Sequence, residues 1–504
     1  MVVRHAVFSL LFSLCVSVAT ASGRTFTVVV YNVENLFDVD GEAAYEDYKA
    51  PAYTPAHLAT KLANIAAVLK RYDEGRGPDV ILFNEIEVDH TPETSVDDFA
   101  SFWARHSTTR TEQLLSLQPL PADLAGLPAE AWLFKALHDH GLTGYTAIAG
   151  ADPSSAHEDG NLRAIKNVTF TRFPVKAVRS HATLNARHIL EVELEVDGHP
   201  LHVFNNHWKS GASDPATESI RVANARVLRG RLDEILKADP HADILIGGDL
   251  NSQYNQSLRH PAMKVTAIND ILRSQGNELA LRGSQRDLYN LWYELPKEQR
   301  GSDTWRGEWG TLMHLIVSRG LYDQRGVQYV DNSFAVGRFT GLNTDATGLP
   351  LRWSGEGKSG RGFSDHFPIS ARFTVATAGR TDRWIPLARP SDRDETDATP
   401  VRVSFDDIDV AAAALHASRL PSRTQLRDGS FTGKIFRVEG PAEDGPLLRV
   451  TYAGDSYEVY SPDPAIRELL ATQRRETRAF KFYGELGTFR GRWQFVVKDA
   501  SWVK

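Results

Sequence analysis

ADILIGGDLNS, residues 242–252, is the stretch on which the reading of this chain turns. Ala242 to Ile246 is a short apolar run of strand length. It stops at Gly247-Gly248-Asp249-Leu250-Asn251-Ser252, where two glycines leave the backbone free to turn Asp249 and Asn251 toward one cleft. The same construction recurs. Thr25 to Tyr31 (TFTVVVY) runs into Asn32-Val33-Glu34-Asn35, and Asp79 to Phe83 into Asn84 and Glu85. Pro200 to Phe204 (PLHVF) runs into Asn205-Asn206-His207-Trp208-Lys209-Ser210. Leu312 to Ser318 reads as a further strand, and Ser364-Asp365-His366-Phe367-Pro368-Ile369 opens a last one ending near Val375.

Helical faces alternate with these strands. His57 to Lys70 spaces Leu58, Leu62, Ile65 and Leu69 for one face, and Glu218 to Lys237 does so with Ile220, Ala223, Val227, Leu228, Leu232 and Ile235. Alternation of this kind indicates an α/β or α+β layered domain, assigned to residues 24–376. Within it, Asp89 to about Tyr145 brings Trp103, Trp132 and Phe134 on helical apolar runs, and is expected to cap the sheet. Residues 377–400, with Pro386, Pro390 and Pro400 around a charged run, read as a linker.

Beyond it, Phe431 to Val438, Leu447 to Tyr452, Tyr457 to Tyr460, Arg478 to Leu486 and Gly491 to Val497 are short strand-like runs. A helix, Pro464 to Ala471, falls between the third and the fourth. That order matches a small all-β barrel of the oligonucleotide/oligosaccharide-binding (OB) kind over residues 401–504, with a β-sandwich or capping domain as the alternative. From Arg419 onward, 15 Lys/Arg stand against 11 Asp/Glu with aromatics interleaved, the composition that single-strand stacking and phosphate neutralisation use.

The whole chain of 504 residues is instead mildly acidic, at −7, which excludes a protein that coats nucleic acid or membranes by bulk charge. With 42% hydrophobic and 24% charged residues it is globular material, long enough for a large core and an appended module. Residues 1–21 run from Arg4 and His5 through an apolar stretch to Ala19-Thr20-Ala21, and read as a signal peptide for export to the periplasm or outside the cell, without stable membrane insertion. The single cysteine, Cys15, lies in that segment, so the mature chain is expected to work without thiols.

The five ordered motifs, Tyr31–Asn35, Asn84–Glu87, Asn206–Ser210, Gly247–Asn251 and Ser364–Ile369, resemble those of the endonuclease/exonuclease/phosphatase superfamily over about residues 25–375. The resemblance implies a four-layer sandwich, two packed mixed β-sheets flanked by helices, and hydrolysis of a phosphoester by an activated water. It implies Glu85 as the main ligand of a divalent metal, Mg²⁺ first with Mn²⁺ or Ca²⁺ as alternatives, with Asn32, Glu34 and Asp365 in support. Asp249 is expected to orient or deprotonate the water, Asn251 to donate to phosphate oxygens, and His366 and His207 to handle charge and protons on the phosphate. Asn206 and Lys209 are expected to bind phosphate, while Lys358 and Arg361 stay open between phosphate grip and solvated charge. A serine triad from Ser364-Asp365-His366 is excluded, because consecutive residues of a strand point to opposite faces.

One departure stands out. The family usually carries an aspartate in the strand before the last motif, paired with the final histidine, and Met313 occupies that place here. The expectations are lower activity, a substitute such as Glu308, or a different substrate, with Met313→Asp raising turnover. The leading functional expectation is an exported metal-dependent nuclease acting on DNA or RNA. The alternatives are a phosphatase or lipid phosphodiesterase on the same site, or a catalytically weakened protein that binds nucleic acid.

Overall fold

β-Branched runs bounded by turn residues build two sheets of seven strands each. They were traced in a computed structural model that describes residues 24–504 apart from 92–95, 97, 153–155, 157–159, 389–394, 407, 421–425, 427–430, 453, 490 and 491. The expected signal segment with Cys15 and the centre of the expected linker lie outside the described residues.

The first sheet runs in the order Asp323–Tyr329, Ile369–Trp384, Phe26–Leu36, Val80–Glu87, Ile165–Thr171, Thr146–Ala149, with Ala335–Val336 beside Ile369–Trp384. The second runs Val175–His181, Ile189–Val196, His199–His207, Ile244–Asp249, Met313–Val317, Leu288–Asn290, Ser274–Gln275. Both are mixed. Phe26–Leu36 is parallel to Val80–Glu87 and antiparallel to Ile369–Trp384, and His199–His207 is parallel to Ile244–Asp249, which is antiparallel to Met313–Val317.

The period of two in a strand sorts side chains between layers. Val28 and Val30 enter the layer between the sheets with Leu82, Val203, Leu245 and Leu315, whereas Val29 and Tyr31 turn outward onto Leu58, Leu62 and Trp132. On the far side, Phe204 and Ile246 meet Leu228 and Leu232 of helix Pro215–Ala238. That helix starts where Asp214 accepts a hydrogen bond from the Ala216 N–H and Pro215 takes the first turn. The result is helix, sheet, sheet, helix. With every one of these side chains buried, truncating Leu245 to Ala costs about 2–5 kcal/mol.

The insert after Val80–Glu87 forms short helices that place Trp103 and Trp132 on the outer face of the first sheet, the capping position expected of it. The last strand runs on to Trp384, well past Val375, so the segment read as linker begins as sheet. Residues 395–403 then lie against the second sheet's loops: Glu395 accepts from Arg300 (2.6 Å) and Tyr254 (3.0 Å), and Val401 C=O accepts from the Trp309 N–H (2.8 Å).

The C-terminal part is a six-stranded sheet in the order Leu415–His416, Ile435–Pro441, Ala479–Phe489, Arg492–Val496, Asp455–Tyr460, Arg449–Tyr452, with helix Pro464–Thr477 packed on it. A sheet stands where a closed barrel was expected. Between Ile435–Pro441 and Arg449–Tyr452 the ladder is reduced to an isolated bridge, Ala442 to Val450, beside a Glu443 N–H bond to Arg449 C=O (2.9 Å). This sheet is fastened to the first part by Lys498, buried between Asp345 (2.8 Å) and its own Glu485 (2.6 Å), and by Leu349, which packs on the sheet's core. No helix among the described residues is long and apolar enough to cross a membrane.

Candidate active site

The parallel pairs Phe26–Leu36 with Val80–Glu87 and His199–His207 with Ile244–Asp249 end at a common edge, and the motif residues meet there. The Asn32 amide donates to Glu85 Oε1 (3.0 Å) in its own sheet and to Asp249 Oδ2 (3.1 Å) in the other. His207 Nε2 lies 3.9 Å from Glu85 and 3.8 Å from Asp249, and His366 Nε2 lies 3.9 Å from Asp249 and 3.8 Å from Asp365. Ser364 locks the last motif down by donating to Asn32 C=O (2.7 Å) while accepting from the His366 N–H (3.1 Å).

The backbone aims these groups by leaving the strand conformation. Glu34, Glu85 and Asn251 all have positive φ, at 52°, 65° and 49°, in a region L residues rarely occupy without compensation. Register shifts flank Glu34 and Glu85, so each side chain leaves the alternation of its strand. Gly248 (φ +123°) is required by proximity as well: a Cβ there would stand 1.9 Å from Asn206 O.

Beneath the cluster, Asn84 donates to Asn167 Oδ1 (2.8 Å) and Asn205 Oδ1 (2.9 Å) and accepts from the Asp249 N–H (2.9 Å). All three asparagines are fully buried, a satisfied polar brace joining the two sheets under the reacting groups.

Burial raises the Asp249 carboxyl against the pull of His366 and of the Asn251 N–H and Asn32 bonds. Burial and the nearby Asp365 push Glu85 up to about 7, against the Asn32 bond and the charges of Arg187 and His366. The two histidines are set apart. Burial, joined by Arg187 and His366, drives His207 well down, so it is a neutral imidazole. Burial would lower His366 too, but Asp365, Asp303, Asp249 and Glu85 outweigh it and push it up to about 9, so it is an imidazolium at neutral pH.

Several expected residues do other work. Glu34 is held by the loop before the last motif, Oε1 accepting from Arg352 Nε (3.1 Å) and Nη2 (2.9 Å) and Oε2 from the Trp353 N–H (2.7 Å), and the same Nη2 donates to Asp365 Oδ2 (3.4 Å). Asn206 is fully buried and points outward from the sheet pair, donating to Phe204 and Gly247 carbonyls (3.2 Å each) and accepting from Trp208 Nε1 (3.2 Å). Alternation explains this: with His207 facing the cleft, Asn206 must face the helix layer. Asn251 donates to Trp208 C=O (3.1 Å) beside the cluster, and Lys209 is partly exposed just after the His199–His207 strand. Arg361 donates to Thr432 C=O (3.1 Å), and Lys358 is exposed.

The place of the missing aspartate is resolved by register. Met313 pairs with Asp249 across the sheet, fully buried, and its sulfur accepts from the Asn32 N–H at 3.4 Å. Glu308 bonds Arg259 (2.9 Å) and does not face His366. The carboxylate beside His366 Nδ1 is Asp303, 3.9 Å away, from the small hairpin Asp303–Trp305 with Glu308–Gly310. A bridge pairs Asp303 with His366, and Gly310 makes room, since a Cβ there would stand 2.1 Å from Asp303 Oδ2. The second residue that motif reading missed is Arg187, which acts by charge on Glu85, Asp249 and His207 and donates to Trp208 C=O (3.4 Å).

Truncated TDP2 of Caenorhabditis elegans superposes with a TM-score of 0.36 at 15% identity, covering 70% of this chain and 98% of its own. The human Nocturnin catalytic domain gives 0.38 at 15%, covering 69% and 93%. A protein of Leptotrichia buccalis gives 0.38 at 14%, covering 69% and 98%. No curated protein matches the chain. Residues 164–374, the span that holds His207, Asp249, Asp303 and His366, match the model of the Endonuclease/Exonuclease/phosphatase family.

Proposed function

We propose that this chain is a metal-dependent phosphodiesterase acting on nucleic acid. The observation that carries the reading is a charged imidazole, His366, ringed by Asp249, Asp303 and Asp365, with Glu85 and a neutral His207 across the same cleft.

The donors fit a hard cation. Burial, joined by the nearby Asp365, raises Glu85, and the groups available are oxygens, the donors Mg²⁺ prefers. Glu85 and Asp365 would hold the metal, with Asn32 orienting Glu85, and Arg352 bridges Asp365 to Glu34 beside them. The metal supplies charge neutralisation on the phosphate and a more acidic water.

The remaining work belongs to the chain. Asp249, fixed by the Asn32 amide and by the Asn251 N–H (2.9 Å), orients the attacking water and accepts its proton. His366 holds a proton at Nε2 for the departing oxygen, and the charge of Asp303, 3.9 Å from Nδ1, favours the doubly protonated ring. His207, neutral, has an acceptor nitrogen for a phosphate-side or water proton. Arg187 adds the fixed positive charge that the developing phosphorane needs. The excess of Lys and Arg after Arg419 supports a polyanionic substrate. Export, resting on residues 1–21, is part of the proposal.

The test is incubation of plasmid, single-stranded DNA and RNA with Mg²⁺, Mn²⁺ or EDTA, beside Glu85→Ala and Asp249→Ala, with sphingomyelin and a phosphomonoester in parallel. Metal-dependent cutting lost in both variants is expected. Hydrolysis of only the lipid or the monoester would refute the nucleic-acid assignment, and binding without any hydrolysis would refute the enzyme.

A further inference from the structure

Away from the cleft, three more carboxylates converge: Glu278, Glu294 and Asp331 each offer an oxygen, and these lie within 4.8 Å of one another. They come from separate places, Glu278 just after strand Ser274–Gln275, Glu294 in the turn after Leu288–Asn290, and Asp331 just after Asp323–Tyr329. The first two strands form one edge of the second sheet and the third is the edge of the first. The cluster therefore sits where the two sheets meet along their margins, and it shares no residue with the active site.

Each acid is held in place. Glu278, 1% exposed, accepts from Tyr322 OH (2.8 Å), Glu294 Oε2 from Tyr329 OH, and Asp331 Oδ2 from the Ala388 N–H (2.8 Å). The oxygens left over are the informative ones. Glu294 Oε1 and Asp331 Oδ1 are sealed from solvent and have no hydrogen-bond partner among the described residues. A buried carboxylate oxygen without a donor is costly. The charges that bear on Glu294 are those of Glu278 and Asp331, both negative. Burial, partly offset by the Tyr329 hydroxyl and reinforced by Glu278 and Asp331, pushes its carboxyl up to about 8.

We infer that Glu278, Glu294 and Asp331 bind a hard divalent cation such as Ca²⁺, which clasps the two sheet edges together. Carboxylates brought from three separate segments suit Ca²⁺, which tolerates irregular coordination, better than Mg²⁺, which demands near-ideal octahedral geometry. Three carboxylates suit a hard cation, and waters or carbonyls would complete the shell. The clasp also reaches the segment after strand Ile369–Trp384 through the Ala388 N–H on Asp331.

The experiment uses the full chain with Glu85→Ala and Asp249→Ala, so that the active-site carboxylates no longer compete, and terbium as the probe. The hydroxyls of Tyr322 and Tyr329 touch the proposed ligands, so excitation of tyrosine should sensitise bound Tb³⁺. Emission should saturate at one equivalent, be displaced by Ca²⁺, and fall about tenfold or more when Glu294→Gln and Asp331→Asn are added. Emission that is absent in the parent, or unchanged by those substitutions, would overturn the inference. Should the added substitutions prevent folding, the parent alone decides: its Tm should rise by about 5 °C in Ca²⁺ over EDTA, and no rise would overturn the site.

Discussion

Two groups of carboxylates, some buried and some half-buried, occupy the same pair of sheets, and their partners differ. Around His366, Asp249, Asp303 and Asp365 face imidazole nitrogens, the Asn32 amide and backbone N–H groups. Around Glu294, the acids meet the phenols of Tyr322 and Tyr329 and the N–H groups of Ala388 and Phe334, and Glu294 Oε1 and Asp331 Oδ1 go without a direct hydrogen bond among the described residues. Burial raises carboxyls in both, so burial alone does not mark a reactive site. The first group can move protons because an acid, a base and a charged ring stand within reach of one another. The second lacks any group that could accept or release a proton near neutrality except the acids themselves, and suits a static charge.

The largest test of this contrast is removal of a carboxylate from the first group. Glu85→Ala or Asp249→Ala should lower phosphodiester turnover by about 10³-fold or more, read by single-turnover hydrolysis. A change under tenfold would place the chemistry elsewhere.

Asp303→Asn should act next, by about 10–100-fold, and with a signature in pH. Asp303 helps hold His366 at about 9, above its usual 6.5. A raised histidine is protonated, and stabilising, at low pH, and that contribution is lost as pH rises through about 9. Activity that needs the imidazolium should therefore fall across that range in the wild type, and the fall should move to lower pH in Asp303→Asn. An unmoved limb would mean that Asp303 is not what charges the ring.

Met313→Asp sharpens the same point from the other side. The sequence suggested a gain, but the side chain is fully buried against Asp249, and its sulfur accepts from the Asn32 N–H. A new carboxylate there would crowd Asp249, so turnover should fall and Tm with it; a rise in turnover would show that the ring still lacks its usual partner.

Smallest in activity should be Glu294→Gln with Asp331→Asn in the otherwise native chain. Hydrolysis should stay within about threefold at a temperature where both proteins are folded, while calcium should no longer raise Tm. A large loss of turnover would merge the two groups into one functional unit.

The motif strands were legible because polar residues interrupt β-branched runs, and the meeting of Asn32, Glu85, His207, Asp249 and His366 follows from parallel neighbours ending at one edge. What stayed hidden depends on contacts far apart in the chain. Asp303 sits on a three-residue strand with no apolar run to announce it, and reaches His366 through a single bridge. Glu34 had the right type and place, yet its fate is set by Arg352, which comes 318 positions later. Asn206 stands beside His207 in sequence and on the opposite face in space, bonded to Phe204, Gly247 and Trp208. Asn84 and Asn205 were visible in their motifs, but only the fold shows that they brace the sheets with Asn167.

The fastening of the C-terminal sheet has a consequence for heredity. The loop that presents Arg352 to Glu34 also carries Asp345 and Leu349, and Lys498, 153 positions downstream, holds Asp345. If the tail were lost, Asp345 would keep a buried charge without its cation and Leu349 would face water, so the guanidinium at the rim of the cleft would lose its footing. Descendants of this chain can shed or exchange the tail only if the loop changes in the same lineage, and the two should therefore be inherited as one unit.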